Sequence, residues 1–336
     1  MKLLPLALVS SLLLGSTAMA APNVVASIKP VHSLVAAVME GVGEPTLVVR
    51  GAASPHTYAL RPSDAGALQD ADLVFWTGAG MELFLADALT TLSGQAEVVE
   101  LSQAPGITLL PVREGGTFEA HSHEGEGHDH EHDHEGHDHE GHDHEEHDHE
   151  AHDHEEHAHE GHDHDHGGDM HFWLDPQNAM HMVDAIAAAL SQADPGNATA
   201  YAANAEREKA NLVALQAELT ATLAPVADKP FLVFHDAYQY FENRFGLTVA
   251  GSVTVTPDVM PGAQRIDALR ARVAELGATC VFAEPNFEPT IIAAITEGST
   301  AKAGVLDPEG GALTEGPNLY PELLRGLANG LLDCLG

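Results

Sequence analysis

Short apolar runs alternate with longer segments of helical periodicity along most of the chain. The first such runs are "NVVASI", "PTLVV", "ADLVFWTG" and "AEVVELS". The segments between them, such as "PSDAGALQD" with Pro62 in its first turn, have the composition and start signals of helices. Short strands that alternate with helices predict βαβ units and a parallel sheet.

This alternation stops at about Pro105 and resumes near Met170. Residues 196–224 are then rich in Ala, Glu and Leu, which favour a helix about 40 Å long at 1.5 Å per residue. Beyond Pro230 the strand and helix pattern restarts and continues to the C-terminus. The pattern therefore predicts two α/β domains, residues 21–190 and 229–336, joined by a long helix.

The N-terminus has the features of an export signal. "MKLLPLALVSSLLLGSTAMA" contains one Lys, an apolar stretch and an A-x-A cleavage site that ends at Ala20. The apolar stretch is too short to span a bilayer. We expect residues 1–20 to be removed and the mature protein to reside in a bacterial periplasm.

Charge is concentrated in one internal segment. The chain has 14 basic and 51 acidic residues, and 19 of its 24 histidines lie between His121 and His166. Residues 119–168 have no apolar face, so we expect an insert without a fold of its own, within the first domain. Its HxH and HxD/E repeats offer many weak zinc sites, whereas a solvated loop without function is the plainer interpretation. So acidic a protein repels nucleic acid and anionic lipid and attracts cations.

Two cysteines fit an oxidising compartment. Cys280 lies in a predicted strand and Cys334 in the last predicted helix, 54 residues away. An oxidising space allows them to pair, and the alternative of a two-Cys metal site lacks CxxC spacing. We therefore expect a disulfide between the C-terminus and the second sheet.

Three of the five histidines outside the insert lie where strands end. His56 is in a loop after a strand, His171 precedes an apolar run, and His235 separates a strand from a helix. Ligand sites in open α/β sheets form at the carboxyl ends of strands, and imidazole suits zinc. His32 and His181 lie within predicted helices, and we interpret both as structural or surface residues.

A fourth ligand is usual for zinc, and two acids stand at other strand ends. Asp307 ends the last predicted strand in "GVLDPEG", and Glu284 ends the preceding one in "FAEPNF". Spacing alone does not choose between them.

Five ordered motifs carry a family resemblance: "GAASPHTYALRPSD", "MHFWLDP", "FHDAYQYF", "CVFAEPNF" and "LDPEG". They resemble the periplasmic zinc-binding proteins of ABC-type zinc importers, the ZnuA type among the cluster A-I solute-binding proteins. The resemblance covers nearly all of the mature chain. It implies two pseudo-symmetric α/β domains bridged by a long helix, with zinc in the cleft between them. It also implies a membrane permease as partner, and supports the Cys280–Cys334 bridge.

The same resemblance implies His56, His171 and His235 as metal ligands. Some relatives of the zinc type have an acid just before the first of these histidines, whereas this chain has Pro55 there. Manganese-type relatives use an aspartate in the "LDP" position, which supports Asp307. The fourth position is thus open among Asp307, water and a histidine of the insert.

Three functions are compatible with these residues. The first is a monomeric binding protein, not an enzyme, that captures zinc and delivers it to a permease. A zinc hydrolase would need a positioned general base, for which Glu284 is the obvious residue, and the chain has no H-E-x-x-H motif. A zinc buffer that used only the insert would leave two well-formed domains without a purpose.

Overall fold

The computed structural model describes residues 21–113, 118, 168–254, 261–277, 280–285 and 289–336. The predicted signal peptide, residues 1–20, and residues 119–167 of the insert lie outside this part of the chain. The described residues form two parallel sheets flanked by helices, which confirms the predicted α/β class. None of the helices described is both long and apolar enough to cross a membrane.

The first sheet has four parallel strands in the order β2-β1-β3-β4. These strands are β1 (Val24–Ala26), β2 (Thr46–Leu47), β3 (Leu73–Trp76) and β4 (Glu97–Glu100). Helices α1 (Lys29–Val38), α2 (Pro62–Gln69) and α3 (Leu83–Leu92) connect them. We refer to this sheet and its helices as the first lobe. The strands, buried on both faces in β1 and β3, have the continuous apolar character typical of parallel sheets.

The second sheet repeats the first in its strand order, β6-β5-β7-β8, again all parallel. Its strands are β5 (Phe231–Val233), β6 (Val249–Ser252), β7 (Cys280–Ala283) and β8 (Lys302–Val305). Its helices are α6 (Gln239–Phe245), α7 (Ala263–Leu276), α8 (Pro289–Thr296) and α9 (Leu319–Leu335). We refer to this as the second lobe. The shared strand order gives the two lobes the expected pseudo-symmetry.

Two helices run between the sheets in the sequence, α4 (Pro176–Ala193) and α5 (Ala198–Leu223). The 26 residues of α5 span about 39 Å. Its buried residues Leu212, Leu215, Leu219 and Leu223 recur every three or four positions, and the helix packs against α4, α1 and α9. The long helix therefore contacts elements of both lobes, as expected of a connecting helix.

The hydrophobic core is continuous between the lobes. One cluster of buried side chains includes Phe75 of the first sheet, Phe231 and Phe282 of the second, and Leu219 of α5. A smaller cluster around Val281 and Ile292 lies elsewhere in the second lobe. Because the sheets share a core, the domain limits at 190 and 229 stay a prediction from the sequence.

The C-terminal helix is tied to the second sheet by a covalent bond. Cys280 of β7 and Cys334 of α9 form a disulfide, with their Cα atoms 6.1 Å apart. The chain thus contains the bridge that the oxidising compartment and the resemblance both indicated.

Candidate metal centre

Three loops bring His56, His171 and His235 to one place, although His171 does not follow a strand as the other two do. His56 lies between β2 and α2, in a turn where its backbone N–H donates to Ser54 Oγ at 3.3 Å. His171 directly precedes a short 3-10 helix, Phe172–Leu174, which leads into α4. His235 follows β5 after one residue. His171 and His235 are buried, with 7% and 2% of their surface exposed, and His56 is half-buried.

The three imidazoles form a compact group. One ring nitrogen from each lies within 4.8 Å of the other two, and no other residue in the part of the chain described joins the group. His171 Nε2 and His235 Nε2 are 3.3 Å apart. In tetrahedral zinc coordination with Zn–N bonds of 2.0–2.1 Å, ligand nitrogens are about 3.4 Å apart. The separation of this pair is therefore that of two ligands of one zinc ion.

Two carboxylates hold the rings of His171 and His235 from behind. Asp169 Oδ1 lies 2.8 Å from His171 Nδ1 and also accepts the backbone N–H of His171 at 3.0 Å. Glu284 Oε1 lies 2.7 Å from His235 Nδ1 and accepts from Tyr238 Oη at 3.1 Å. An ionised carboxylate accepts from Nδ1–H, which leaves the lone pair on Nε2. The two Nε2 atoms then face each other as acceptors, and a cation between them relieves this conflict.

His56 contributes a nitrogen that lacks a partner. Its Nε2 is buried and makes no hydrogen bond among the described atoms. Its ring centroid lies 5.5 Å from that of His171 and 5.6 Å from that of His235. A buried imidazole nitrogen without a partner is costly, and coordination of a metal would satisfy it. The donor set fits a borderline ion such as zinc.

The three histidines have different pKa values because their surroundings differ. Burial, together with repulsion from the other two histidines, lowers the pKa of His56 to about 2. Burial and the neighbouring His235 lower the pKa of His171 well below its usual value. Burial alone would also lower the pKa of His235, but the charge and hydrogen bond of Glu284, together with the charges of Asp236 and Asp169, outweigh it and raise that pKa. His56 and His171 thus favour the neutral form that binds metal, and His235 has the highest proton affinity of the three rings.

Burial also acts on Asp169, whose pKa it raises to about 7. The hydrogen bond from the backbone of His171 and the charge of Arg113 oppose this rise. Both therefore favour the ionised carboxylate, which is the form that accepts from His171 Nδ1–H.

Asp307 is not brought into the histidine group. Its Oδ1 accepts from the backbone N–H groups of Glu309 and Gly310, at 3.1 and 2.8 Å. Burial and the charge of Glu284, and further the charge of Asp307, raise the pKa of Tyr238 well above its usual value. Asp307 therefore lies within electrostatic range of the site, and its role as a ligand stays a prediction.

The remaining interpretations from the sequence concern His32, His181 and Glu284. His32 is buried in α1 with Nε2 3.1 Å from the carbonyl of Pro45, and His181 lies on α4 with Nε2 3.4 Å from Gln177 Nε2. Neither belongs to the histidine group of the described residues. Glu284 is close to the site, where it supports His235 rather than facing the three rings as a fourth member.

Sequence reasoning missed Asp169 and the basic residue Arg113. Asp169 stands two positions before His171 and was visible as an acid beside a ligand candidate, but it merges with the acidic insert. Arg113 is separated from its carboxylate partners, Asp236 and Glu242, by more than 120 residues. No local pattern indicates such a contact.

Comparison with known proteins places the chain among zinc-uptake components. Residues 24–334 match the family described as zinc-uptake complex component A, periplasmic, or ZnuA. A protein of Brucella abortus named "High-affinity zinc uptake system protein ZnuA" is 54% identical over 313 residues, which are 93% of this chain and 91% of that protein. A protein of the same name from Paracoccus denitrificans is 46% identical over 337 residues, 99% of this chain and 98% of that protein.

A solved structure described as "Crystal structure of ZnuA" has the same fold, with a TM-score of 0.69 and 22% sequence identity. The likeness covers 93% of this chain and 99% of that one. Fold and site together define a two-lobed α/β protein of the solute-binding class, with a histidine cluster suited to a metal ion. The chain belongs to the ZnuA family.

Proposed function

We propose that this protein captures Zn²⁺ in the periplasm and delivers it to the membrane permease of an ABC-type zinc importer. The observation that carries the proposal is the convergence of His56, His171 and His235, with two Nε2 atoms 3.3 Å apart and a third buried Nε2 without a partner among the described atoms. The names of the relatives from Brucella abortus and Paracoccus denitrificans support zinc as the cargo. The family description supports the periplasm, to which residues 1–20 would direct the chain.

We further propose Asp307 as the fourth ligand, with water or a histidine of the insert as the alternatives. To bind the ion, the Asp307 side chain would have to turn away from the backbone N–H groups of Glu309 and Gly310, which now donate hydrogen bonds to it. Its position in the loop after β8 supports the proposal, because that loop is anchored to the segment of His171 by the hydrogen bond from Trp173 Nε1 to the Pro308 carbonyl, at 3.0 Å.

The contacts of Glu284 favour a binding protein over a zinc hydrolase that would use Glu284 as its general base. A zinc hydrolase needs a general base that is free to take a proton from water. The carboxylate of Glu284 is instead occupied by His235 Nδ1 and Tyr238 Oη. We propose that the protein acts as a monomer, with zinc and the permease as its partners.

The test is an equilibrium titration with zinc in competition with a chelator. The wild type and a variant without residues 119–168 should each bind one ion tightly, because the three histidines lie outside the insert. His171→Ala should weaken this site by more than about 100-fold, beyond the loss that follows removal of a residue that only orients a ligand. His181→Ala, on α4 outside the cluster, is the control and should bind as the wild type does. Wild-type affinity in His171→Ala would contradict the proposal, and turnover of ester or amide substrates would favour a hydrolase.

A further inference from the structure

Two segments that flank the histidine-rich insert in the sequence are joined to each other beside the metal centre. Residues 110–113 precede the insert and residues 169–171 follow it, and we call these two segments the stem. Leu110 and Asp169 form an antiparallel bridge, in which the Asp169 N–H donates to the Leu110 carbonyl at 2.7 Å. Since Asp169 also holds His171, the stem is continuous with the site.

Helix α6 of the second lobe forms hydrogen bonds with both segments of the stem. Tyr240 Oη accepts the N–H of Leu110 at 2.8 Å and donates to the carbonyl of Asp169. The side-chain amide of Gln239, with its nitrogen facing these acceptors, donates to the Pro111 carbonyl and to Asp169 Oδ2, both at 3.1 Å. The stem therefore belongs structurally to both lobes.

Arg113 adds a charged connection between the stem and the second lobe. Its Nε donates to Asp236 Oδ2 at 3.0 Å, a second nitrogen donates to Asp236 Oδ1, and the third donates to Glu242 of α6. The three side chains are largely buried, with 21%, 14% and 7% of their surface exposed for Arg113, Asp236 and Glu242. The planar fork of Arg matches a carboxylate in both position and direction, so this contact fixes geometry as well as charge.

The two segments that Arg113 connects, the stem and the loop after β5, each contain one of the proposed ligand histidines. On the stem side, Asp169 binds the ring of His171. On the side of the second lobe, Asp236 is the residue that follows His235. If the guanidinium were removed, Asp236 and Glu242 would face each other as two partly buried carboxylates without a counter-charge, a costly arrangement.

We propose that Arg113 is a positioning residue for the metal centre, which locks the stem of the insert to the second lobe and thereby sets the rate at which zinc leaves the site. The inference rests on the proposed zinc-binding function. Among the described residues, the hydrogen bonds of the Arg113 side chain go to Asp236 and Glu242 and none to the three histidines, so Arg113 acts on zinc through Asp236 and through the stem. Its loss should make the spacing between His171 and His235 less fixed, while all three histidines remain present to bind the ion.

The test compares zinc release from four full-length variants with release from the wild type, by stopped-flow mixing of the zinc-loaded protein with excess chelator. Arg113→Met should release zinc about tenfold faster, within the range typical of coupling between sites, with little change in the association rate. Arg113→Lys keeps the charge and loses the fork, so it should lie between Met and wild type. Glu242→Gln in the Arg113→Met background removes one of the opposed carboxylates and should restore part of the slow release.

The matched control is Arg325→Met. It breaks another two-bond Arg–carboxylate pair, with Glu218, at 2.8 and 2.7 Å, which joins α9 to α5. It removes the same charge and should leave zinc release unchanged, which separates positioning from a general loss of charge.

Equal release rates for Arg113→Met and the wild type would overturn the inference. If Arg113→Met does not fold, Arg113→Lys decides: release faster than that of Arg325→Met supports the inference, and release at the same rate contradicts it. Failure of the proposed function would look different, since His171→Ala would then retain tight zinc binding whatever the Arg113 variants do.

Discussion

Glu284 and Asp169 show how one carboxylate behind each ring prepares an imidazole for metal. Each lies 2.7–2.8 Å from an Nδ1 atom and so directs the opposite nitrogen toward the centre of the site. Glu284 also raises the pKa of His235, whereas the pKa values of His56 and His171 are lowered by burial. Metal binding requires neutral imidazole, so zinc competes with protons most strongly at His235, whose pKa is raised.

The sign of the pH dependence follows from this competition. A proton on His235 stabilises the zinc-free form, and a raised pKa makes that competition begin at a higher pH than for an ordinary histidine. Zinc affinity should therefore be highest above the pKa of His235 and should fall as the pH decreases through it. Proton release on zinc binding, measured by calorimetry in buffers of different ionisation enthalpy, checks the prediction.

Glu284→Gln tests the cause of this shift. Removal of the charge should move the fall in affinity to lower pH, because the raised pKa of His235 depends on Glu284. The affinity above the transition should also decrease by about tenfold, since a partner that orients a ligand is lost. Glu297→Gln removes an exposed acid of the same lobe and serves as control. An unchanged pH midpoint in Glu284→Gln would contradict the assignment.

At the scale of the elements, helix α9 offers a matched pair of glycines. A Cβ at Gly326 would meet nothing within 4 Å, whereas a Cβ at Gly330 would lie 2.7 Å from the carbonyl oxygen of Val305 in β8. Gly330 is thus a point where the backbone of the helix approaches the sheet closely, while Gly326 is open to solvent.

The two alanine substitutions should have opposite effects on stability. Gly326→Ala should raise the free energy of unfolding by about 0.5–1 kcal/mol, the difference in helix propensity. Gly330→Ala should lower it by about 1 kcal/mol or more, because the helix must move from the sheet to accommodate the methyl group. Urea denaturation of the two variants and the wild type measures both changes. A stabilising Gly330→Ala would show that α9 is not packed on β8 as described.

Helix boundaries are predicted correctly where residues next to the boundary determine it. The residues "PQNAMHMVDAIAAALSQA" predict a helix over Pro176–Ala193, and α4 has these bounds. Pro176 and the side-chain cap of Asp175 define its start locally. The residues "DAYQYFENRF" after His235 predict a helix that begins at Asp236, and this boundary is wrong. The helix begins at Gln239, since Asp236 is bound by Arg113 and Ala237 N–H donates to the His235 carbonyl. Contacts between distant parts of the chain decided that boundary.

At the scale of the molecule, local sequence signals indicated the histidines of the metal centre, whereas the residues that support them depend on contacts between distant parts of the chain. His56 and His235 could be predicted because each lies in a loop that follows a strand, and a parallel fold gathers strand ends. His171 instead precedes a 3-10 helix, and the motif "MHFWLDP" identifies it. The convergence of the three histidines on one group required the tertiary arrangement, as did the contacts of Asp169 and Arg113. The core shared by the lobes would be exposed by a wide opening, so we expect zinc to enter and leave by small movements.

Deletion of residues 119–168 tests what the insert adds to this scaffold. We expect weakly bound zinc on the insert to be transferred to the site intramolecularly, because the insert is followed in the chain by Asp169 and His171. The deletion variant should bind fewer ions in total and load more slowly from dilute zinc, with its tight affinity nearly unchanged. Stopped-flow zinc binding beside chelator competition measures the two properties.

Two results would contradict this role of the insert. Identical loading rates with and without residues 119–168 would show that the insert does not relay zinc to the site. A large loss of tight affinity on deletion would instead identify a histidine of the insert as the fourth ligand, in place of Asp307 or water.

The central claim, that His56, His171 and His235 bind one zinc ion, is tested most directly by X-ray diffraction from zinc-loaded crystals at the zinc absorption edge. We predict one dominant anomalous peak outside the insert, bonded to a nitrogen of all three rings at about 2.0–2.1 Å. The same map would show whether Asp307 has turned to complete the coordination. A dominant peak elsewhere, or one that leaves any of the three histidines unbound, would contradict the claim.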